Sequence, residues 1–214
     1  MTKNLSIGRR GVFGLTISGI ITAMSPLAAA QDAGAPIEPI EHLDQALLGV
    51  MKRGSGASFD ERYHSLAPVI EQAFNLDAIL AASIGLSWAA LPESAKASLA
   101  AAFRRYTISS YVANFDSYNG QTFQIAPSTR TLGNGEVVVQ SQLLRRDNGP
   151  LRLDYVMRQG PADWQAVDVL TDGTISRVAV QRSDFRGLLV SGGVTALTEG
   201  LAHKVANLTG GMSQ

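Results

Sequence analysis

An α+β fold is predicted by three observations. A stretch of alternating apolar and polar residues beginning at Glu136 is cut by short turns, helical apolar stripes flank it on both sides, and the chain is long enough for one sizeable core. The alternation is cleanest from Leu151 to Arg158, where Leu151, Leu153, Tyr155 and Met157 share one face and Arg152, Asp154 and Arg158 share the other. Period two with one apolar face is the pattern of an antiparallel strand that is buried on one side. Such a face needs a cover, and the neighbouring helices are the covers available. The expected architecture is therefore an antiparallel, twisted sheet of about four strands under several helices.

The first thirty residues stand apart from this fold. Lys3, Arg9 and Arg10 form a basic start, Gly11 to Met24 is apolar, and Ala28-Ala29-Ala30 offers a small-residue cleavage site. Residues 1–30 thus read as an export signal peptide, too short and badly flanked for a membrane span. Arg9-Arg10-Gly11-Val12-Phe13 also resembles a twin-arginine signal, so the general secretory route and the twin-arginine route both remain open. The 18 basic and 18 acidic residues balance over the whole chain, but the leader holds three of the bases and none of the acids. The exported chain is then net negative by three charges, which argues against nucleic acid as a partner. It has no cysteine, hence no disulfide, thiolate metal site or lipoprotein anchor. Those features together point to the periplasm.

Residues 31–36 are a Gly/Ala/Pro linker, and 37–214 form one domain. Ile40, Leu43, Leu47 and Val50 recur at three to four residues and mark a first amphipathic helix, stopped by Lys52-Arg-Gly-Ser-Gly-Ala57. Ser58 with Glu61 makes a capping box for a second helix carrying Phe59 to Phe74, with a bend expected near Pro68. Leu76 to Leu86 is a short helix apolar on most sides, and Pro92-Glu93 opens the longest one, running towards Phe115. Gln121 to Ala126 is a first strand, and Gly133-Asn-Gly135 turns into the second, Glu136 to Arg145. Asp147-Asn-Gly-Pro150 leads to the third, and Gly160-Pro161 to the fourth, Trp164 to Leu170. Ser176 caps a helix to about Val190, Ser191-Gly-Gly193 breaks it, and Val194 to Asn207 forms the last helix.

Chemistry-bearing constellations are few. His42, His64 and His203 lie in separate helical segments without a second ligand at metal-site spacing, so no metal or cofactor is expected. There is no Gly-x-Ser-x-Gly elbow, phosphate loop or dinucleotide fingerprint in the exported part. Asp163, Asp168 and Asp172 are the nearest approach to a carboxylate cluster, and a periplasmic hydrolase built on them is the alternative from a different class. Turn positions for Asp163 and Asp172, and a hydrogen-bonding role for Asp168, explain them more simply. The abundant aromatics of the helical half are, from their spacing alone, ordinary core. A structural or adaptor protein with a filled core is the third reading.

Three ordered stretches carry a resemblance. They are Phe74-Asn-Leu-Asp77 with Ile84-Gly85-Leu-Ser-Trp88; Phe103 with Tyr111, Phe115 and Tyr118-Asn-Gly120; and Trp164-Gln-Ala-Val-Asp168-Val with Asp172-Gly173-Thr-Ile-Ser176 and Arg182-Ser-Asp-Phe185. Together they resemble the MlaC-like toluene-tolerance family, exported carriers of phospholipid between the membranes of Gram-negative bacteria. The Asp172–Ser176 loop is one residue longer than usual, and Gln181 replaces a Tyr. The longer loop resembles a branch associated with hopanoid biosynthesis, so glycerophospholipid and hopanoid both stand as cargo.

The resemblance implies a carrier rather than an enzyme, with an apolar cavity between sheet and helices. It also implies an inner-membrane ABC lipid transporter and an outer-membrane lipoprotein–porin complex as partners, and a monomer. The residues expected to line the cavity are Val139, Leu153, Tyr155, Val167 and Val169 from strands, and Ile79, Trp88, Phe103 and Tyr106 from helices. A slip of one residue would exchange the strand faces. Arg152, Arg158 and Arg182 are the candidates for a headgroup or docking surface.

Overall fold

In the computed structural model, residues 35–146 and 149–210 are described. The expected signal peptide, the expected linker up to residue 34 and the Asp147-Asn148 part of one turn lie outside the described residues. Helix α1 (Glu38–Arg53) buries Ile40, Leu43, Leu47 and Val50, the stripe the sequence predicts. Its acids Glu38 and Glu41 sit in the first turn and its bases Lys52 and Arg53 in the last, each opposing the helix dipole. Helix α2 (Phe59–Ala73) opens with the capping box: Glu61 N–H donates to Ser58 Oγ, and Ser58 N–H to the Glu61 carboxylate. Helix α3 (Leu76–Ile84) starts where Asn75 Oδ1 accepts from Ala78 N–H at 2.9 Å. It ends at Gly85, whose φ of 77° only glycine adopts freely. A short 3-10 segment, Gly85–Ala90, leads to α4 (Glu93–Asn114).

The sheet is antiparallel and holds six strands: β1 (Thr122–Ile125), β2 (Arg130–Thr131), β3 (Val137–Leu144), β4 (Leu151–Gln159), β5 (Trp164–Thr171) and β6 (Ile175–Ser176). The order is β1-β3-β4-β5-β6, with β2 also on β3. Four strands were expected; β2 and β6 are two residues long, below the length at which alternation can be recognised. β1 and β2 pair with successive parts of β3, on either side of Pro127, which has no N–H to give to a ladder. Pairs Val139↔Tyr155, Ser141↔Leu153 and Tyr155↔Val169 set one face of the sheet. A bulge opposite Val156/Met157 then shifts the register, so that Met157 faces Ala166.

Helix α5 (Arg177–Gly210) follows β6 and is interrupted by Gly192 and Gly193, whose φ/ψ values of −154°/16° and 64°/−150° are not helical. The break falls where Ser191-Gly-Gly193 predicts it. The two arms pack closely: a Cβ on Gly200 would meet Leu188 Cδ1 at 2.8 Å. The main core joins α1, α2, α3, α4 and α5 to one face of the sheet, with Leu43, Ile70, Leu80, Phe103, Tyr155 and Leu201 all buried in it. The opposite face carries a small second cluster of Val138, Val156 and Val167. All of these elements belong to one compact unit, Asp32–Gln214. Among the described residues, no helix is long and apolar enough to cross a membrane.

Candidate functional site: a cavity between sheet and helices

A cavity of about 860 Å³ lies between the sheet and the helices. Its sheet wall is Leu143 of β3, Leu151 and Leu153 of β4, and Val169 and Thr171 of β5. Its helical walls include Met51, Ile79, Phe103, Tyr106, Tyr111 and Leu208. The strand residues all stand on the face set by the β3–β4–β5 register, so the alternation that builds the sheet also builds the wall. An aromatic series runs along one side: Phe74 and Tyr111 have ring centroids 5.5 Å apart, Tyr111 stacks on Phe115 at 5.9 Å, and Phe115 meets Phe123 at 6.2 Å. Both arms of α5 reach the cavity, the first through Arg177, Val178 and Gln181, the second through Lys204, Asn207 and Leu208. The exposed members of the lining, among them Asn114, Ser117, Arg177, Lys204 and Asn207, form a polar mouth to an apolar interior.

Of the predicted lining, the structure places Ile79, Phe103, Tyr106, Leu153 and Val169 on the cavity wall. Val139 and Tyr155 share that sheet face but are fully buried in the core and do not line the cavity. Tyr155 packs behind the wall residue Phe74, centroids 6.1 Å apart. Val167 is a correction. Period two puts it with Val169, but the bulge breaks the period and sends Val167 to the opposite-face cluster with Val138 and Val156. Trp88 is a second correction. It lies on the 3-10 segment beside a smaller, separate pocket bordered by Ala81, Leu86 and Arg182, with Lys96 Nζ 5.8 Å above its ring.

The three predicted arginines are also elsewhere, each held by a structural partner. Arg152 forms a bidentate pair with the buried Asp154, at 2.8 and 2.6 Å, and leans over Gly173, where a Cβ would come within 2.8 Å of it. Arg158 donates twice to Glu136, at 2.9 and 2.6 Å. Arg182 donates from Nε and Nη2 to the Ala82 carbonyl, at 3.0 and 2.5 Å, closing the open end of α3. None of the three lines the cavity. Arg145, Arg177 and Lys204 do, and the sequence reading missed them. Arg145 follows the last residue of β3 and Arg177 follows Ser176, so an element-end position was legible; the fold-back that brings Lys204 beside the same opening was not.

The acids divide as turn chemistry requires. Asp163 and Asp172 sit beyond opposite ends of β5, so the structure does not assemble them into one site with Asp168. Asp168 joins β5 to α5: its carboxylate accepts from Ser176 Oγ, from Val178 N–H at 3.1 Å and from Val169 N–H at 2.8 Å, and Ser176 Oγ accepts from Ala179 N–H at 3.0 Å. That is a helix cap shared by two side chains. Behind the wall, Asp44 of α1 is buried and accepts from Ser141 Oγ at 3.3 Å through Oδ2, while Oδ1 has no hydrogen-bond partner. Burial pushes its carboxyl up to about 7; the Ser141 bond works against this and Glu41 adds to it. The Tyr155 hydroxyl, likewise buried without a partner, is pushed up well above the usual phenol range by burial, with Tyr111 and Asp44 contributing. Among the described residues no group of His, Cys, Asp or Glu is placed to hold a metal.

A solved structure of a phospholipid-binding protein from Ralstonia solanacearum, in complex with a phospholipid, shares this fold. It superposes with a TM-score of 0.70 over 82% of this chain and 99% of that one, at 18% sequence identity. The family model described as MlaC protein matches residues 41–203, which takes in every helix and strand that borders the cavity up to the second arm of α5. By that match the chain belongs to the MlaC family.

Proposed function

We propose that this protein is a periplasmic carrier that holds a phospholipid by its acyl chains in the cavity, with the headgroup at the polar mouth. The observation that carries the reading is a hollow of about 860 Å³, walled on the sheet side chiefly by Leu143, Leu151, Leu153 and Val169, where a sheet and its covering helices ordinarily interlock. A water-sized group takes about 30 Å³, so the hollow has room for on the order of 29 methylenes. That is about the content of two lipid tails. Exposing some 30 methylenes to water costs roughly 20 kcal/mol or more, so a carrier needs a slot of about this capacity and needs little else. Export through the leader, and exchange with an inner-membrane ABC lipid transporter and an outer-membrane lipoprotein–porin complex, complete the proposed role.

Organic extraction and mass spectrometry of protein purified from the periplasm test it. A glycerophospholipid at about one per chain is the expected result. A hopanoid in its place would assign the alternative cargo, and no lipid at all would end the carrier reading. The Asp168 carboxylate is proposed as a cap and not a catalyst. Asp168→Asn is expected to lower stability by about 1 kcal/mol, the usual worth of a cap, and to leave lipid loading intact. A hydrolytic activity that this substitution abolished would favour the hydrolase instead.

A further inference from the structure

We infer that the mouth of the cavity selects anionic over zwitterionic headgroups, through Arg145, Arg177 and Lys204. The inference rests on the reading of the cavity as a lipid site and adds the class of lipid. Three cations and one carboxylate, Asp168, line the cavity among the described residues. The carboxylate is already engaged by the Ser176 hydroxyl and by two backbone N–H groups. The cations come from three places in the chain, the end of β3 and the two arms of α5, and all three border the same cavity.

Arg145 donates from Nε to the Gly149 carbonyl at 3.1 Å. Ion pairs hold Lys96 to Glu93, Arg104 to Glu71, Arg152 to Asp154 and Arg158 to Glu136, and neither Arg177 nor Lys204 is among them. Lys204 Nζ lies 5.7 Å over the ring of Tyr106, itself a wall residue, so the ammonium stays at the edge while its stem lies on apolar surface. Arg177 is exposed at the first turn of α5 and acts on Tyr111 inside the cavity, opposing the upward push that burial gives that phenol. The mouth is thus locally positive on a chain without net positive charge.

A lipid held by its tails places its phosphodiester at this mouth. Phosphatidylglycerol brings one net negative charge there. Phosphatidylcholine brings the same phosphate with a quaternary ammonium beside it, and that ammonium meets three like charges. Each exposed contact is worth about a two- to fivefold ratio, and the three together about tenfold, weakening as salt rises.

The test loads the delipidated protein from vesicles holding equal phosphatidylglycerol and phosphatidylcholine with identical acyl chains, then measures the bound lipids by mass spectrometry. We expect phosphatidylglycerol to exceed phosphatidylcholine by about tenfold at low ionic strength. In Arg177→Gln/Lys204→Gln the ratio is expected to fall to within about twofold of unity through poorer phosphatidylglycerol loading. Arg105→Gln, which removes an exposed α4 cation away from the cavity, should keep the wild-type ratio, and melting curves of each variant report folding. Equal loading by the wild type overturns the inference. So does an unchanged ratio in the double variant, which would leave these cations to an acidic protein partner. If an excess of inorganic phosphate erases the ratio, the site is one for free anions and the headgroup assignment falls. Absence of both lipids is a different result, visible in total lipid and not in the ratio, and it would overturn the carrier reading itself.

Discussion

Asp44 is 4% exposed, and one of its carboxylate oxygens has no partner, so its charge is expensive where it sits. Its carboxyl is raised from 3.8 to about 7, with burial as the main cause. A folded-state value above the unfolded one means the native state binds this proton more tightly, so its contribution to stability is full below about pH 4 and is lost as pH rises towards 7. Spread over that interval, the loss is on the order of 4 kcal/mol. Asp44→Asn should therefore be more stable than the wild type at pH 8, and the difference should shrink as pH falls to 5. Urea midpoints at the two pH values check the sign. On the wall, Val169→Trp should take up part of the hollow, and mass spectrometry should find lipid loading reduced in a protein that still melts cooperatively. Asp44 stands four residues after Ile40 and three before Leu47, so the spacing of α1 does place it on the buried stripe; its Ser141 partner became visible only once the sheet was placed opposite. Leu153 was legible, because strict alternation in β4 leaves one choice of face. Val167 was not: the bulge that reverses it is created by pairing between strands, and no single strand records it.

At the scale of elements, the capping box of α2 and the break in α5 were both readable, since each depends on residue types within a few positions. Ser58→Ala removes the acceptor for Glu61 N–H and should cost about 1 kcal/mol in chemical denaturation. Gly193 has open space around the position of a Cβ, so any penalty for a side chain there is conformational. Its φ/ψ of 64°/−150° lies in a region essentially confined to glycine, and Gly193→Ala should destabilise by about 1–3 kcal/mol. A melting temperature equal to that of the wild type would show that the break relaxes without cost. β2 and β6 were missed because two residues carry no period. The longer loop before Ser176 was noticed, and its conformation explains it: Asp172 and Gly173 take φ of 53° and 75°, which turns β5 back into β6 before α5 begins.

Across the whole molecule, the class of fold followed from patterning, whereas the hollow did not. Alternation and helical stripes state which faces turn inward; they do not state whether two inward faces meet. An unfilled interior forgoes packing that a solid core would have, so cargo should stabilise this protein strongly. With lipid at a hundred times its dissociation constant the gain is about 2.7 kcal/mol, and the melting temperature of loaded protein should exceed that of delipidated protein by several degrees. Identical melting curves would mean that the hollow closes when empty or never fills.

The doubling back of α5 has a consequence for the lining of the cavity. The helix borders the opening with Arg177, leaves it, reverses at Gly192–Gly193, and returns to border it again with Lys204 and Leu208. Two separate parts of the lining thus hang on one glycine elbow, and the returning arm is anchored in the core by Leu197 and Leu201. A substitution at the elbow therefore reaches the lining at both places at once, though neither glycine borders the cavity itself.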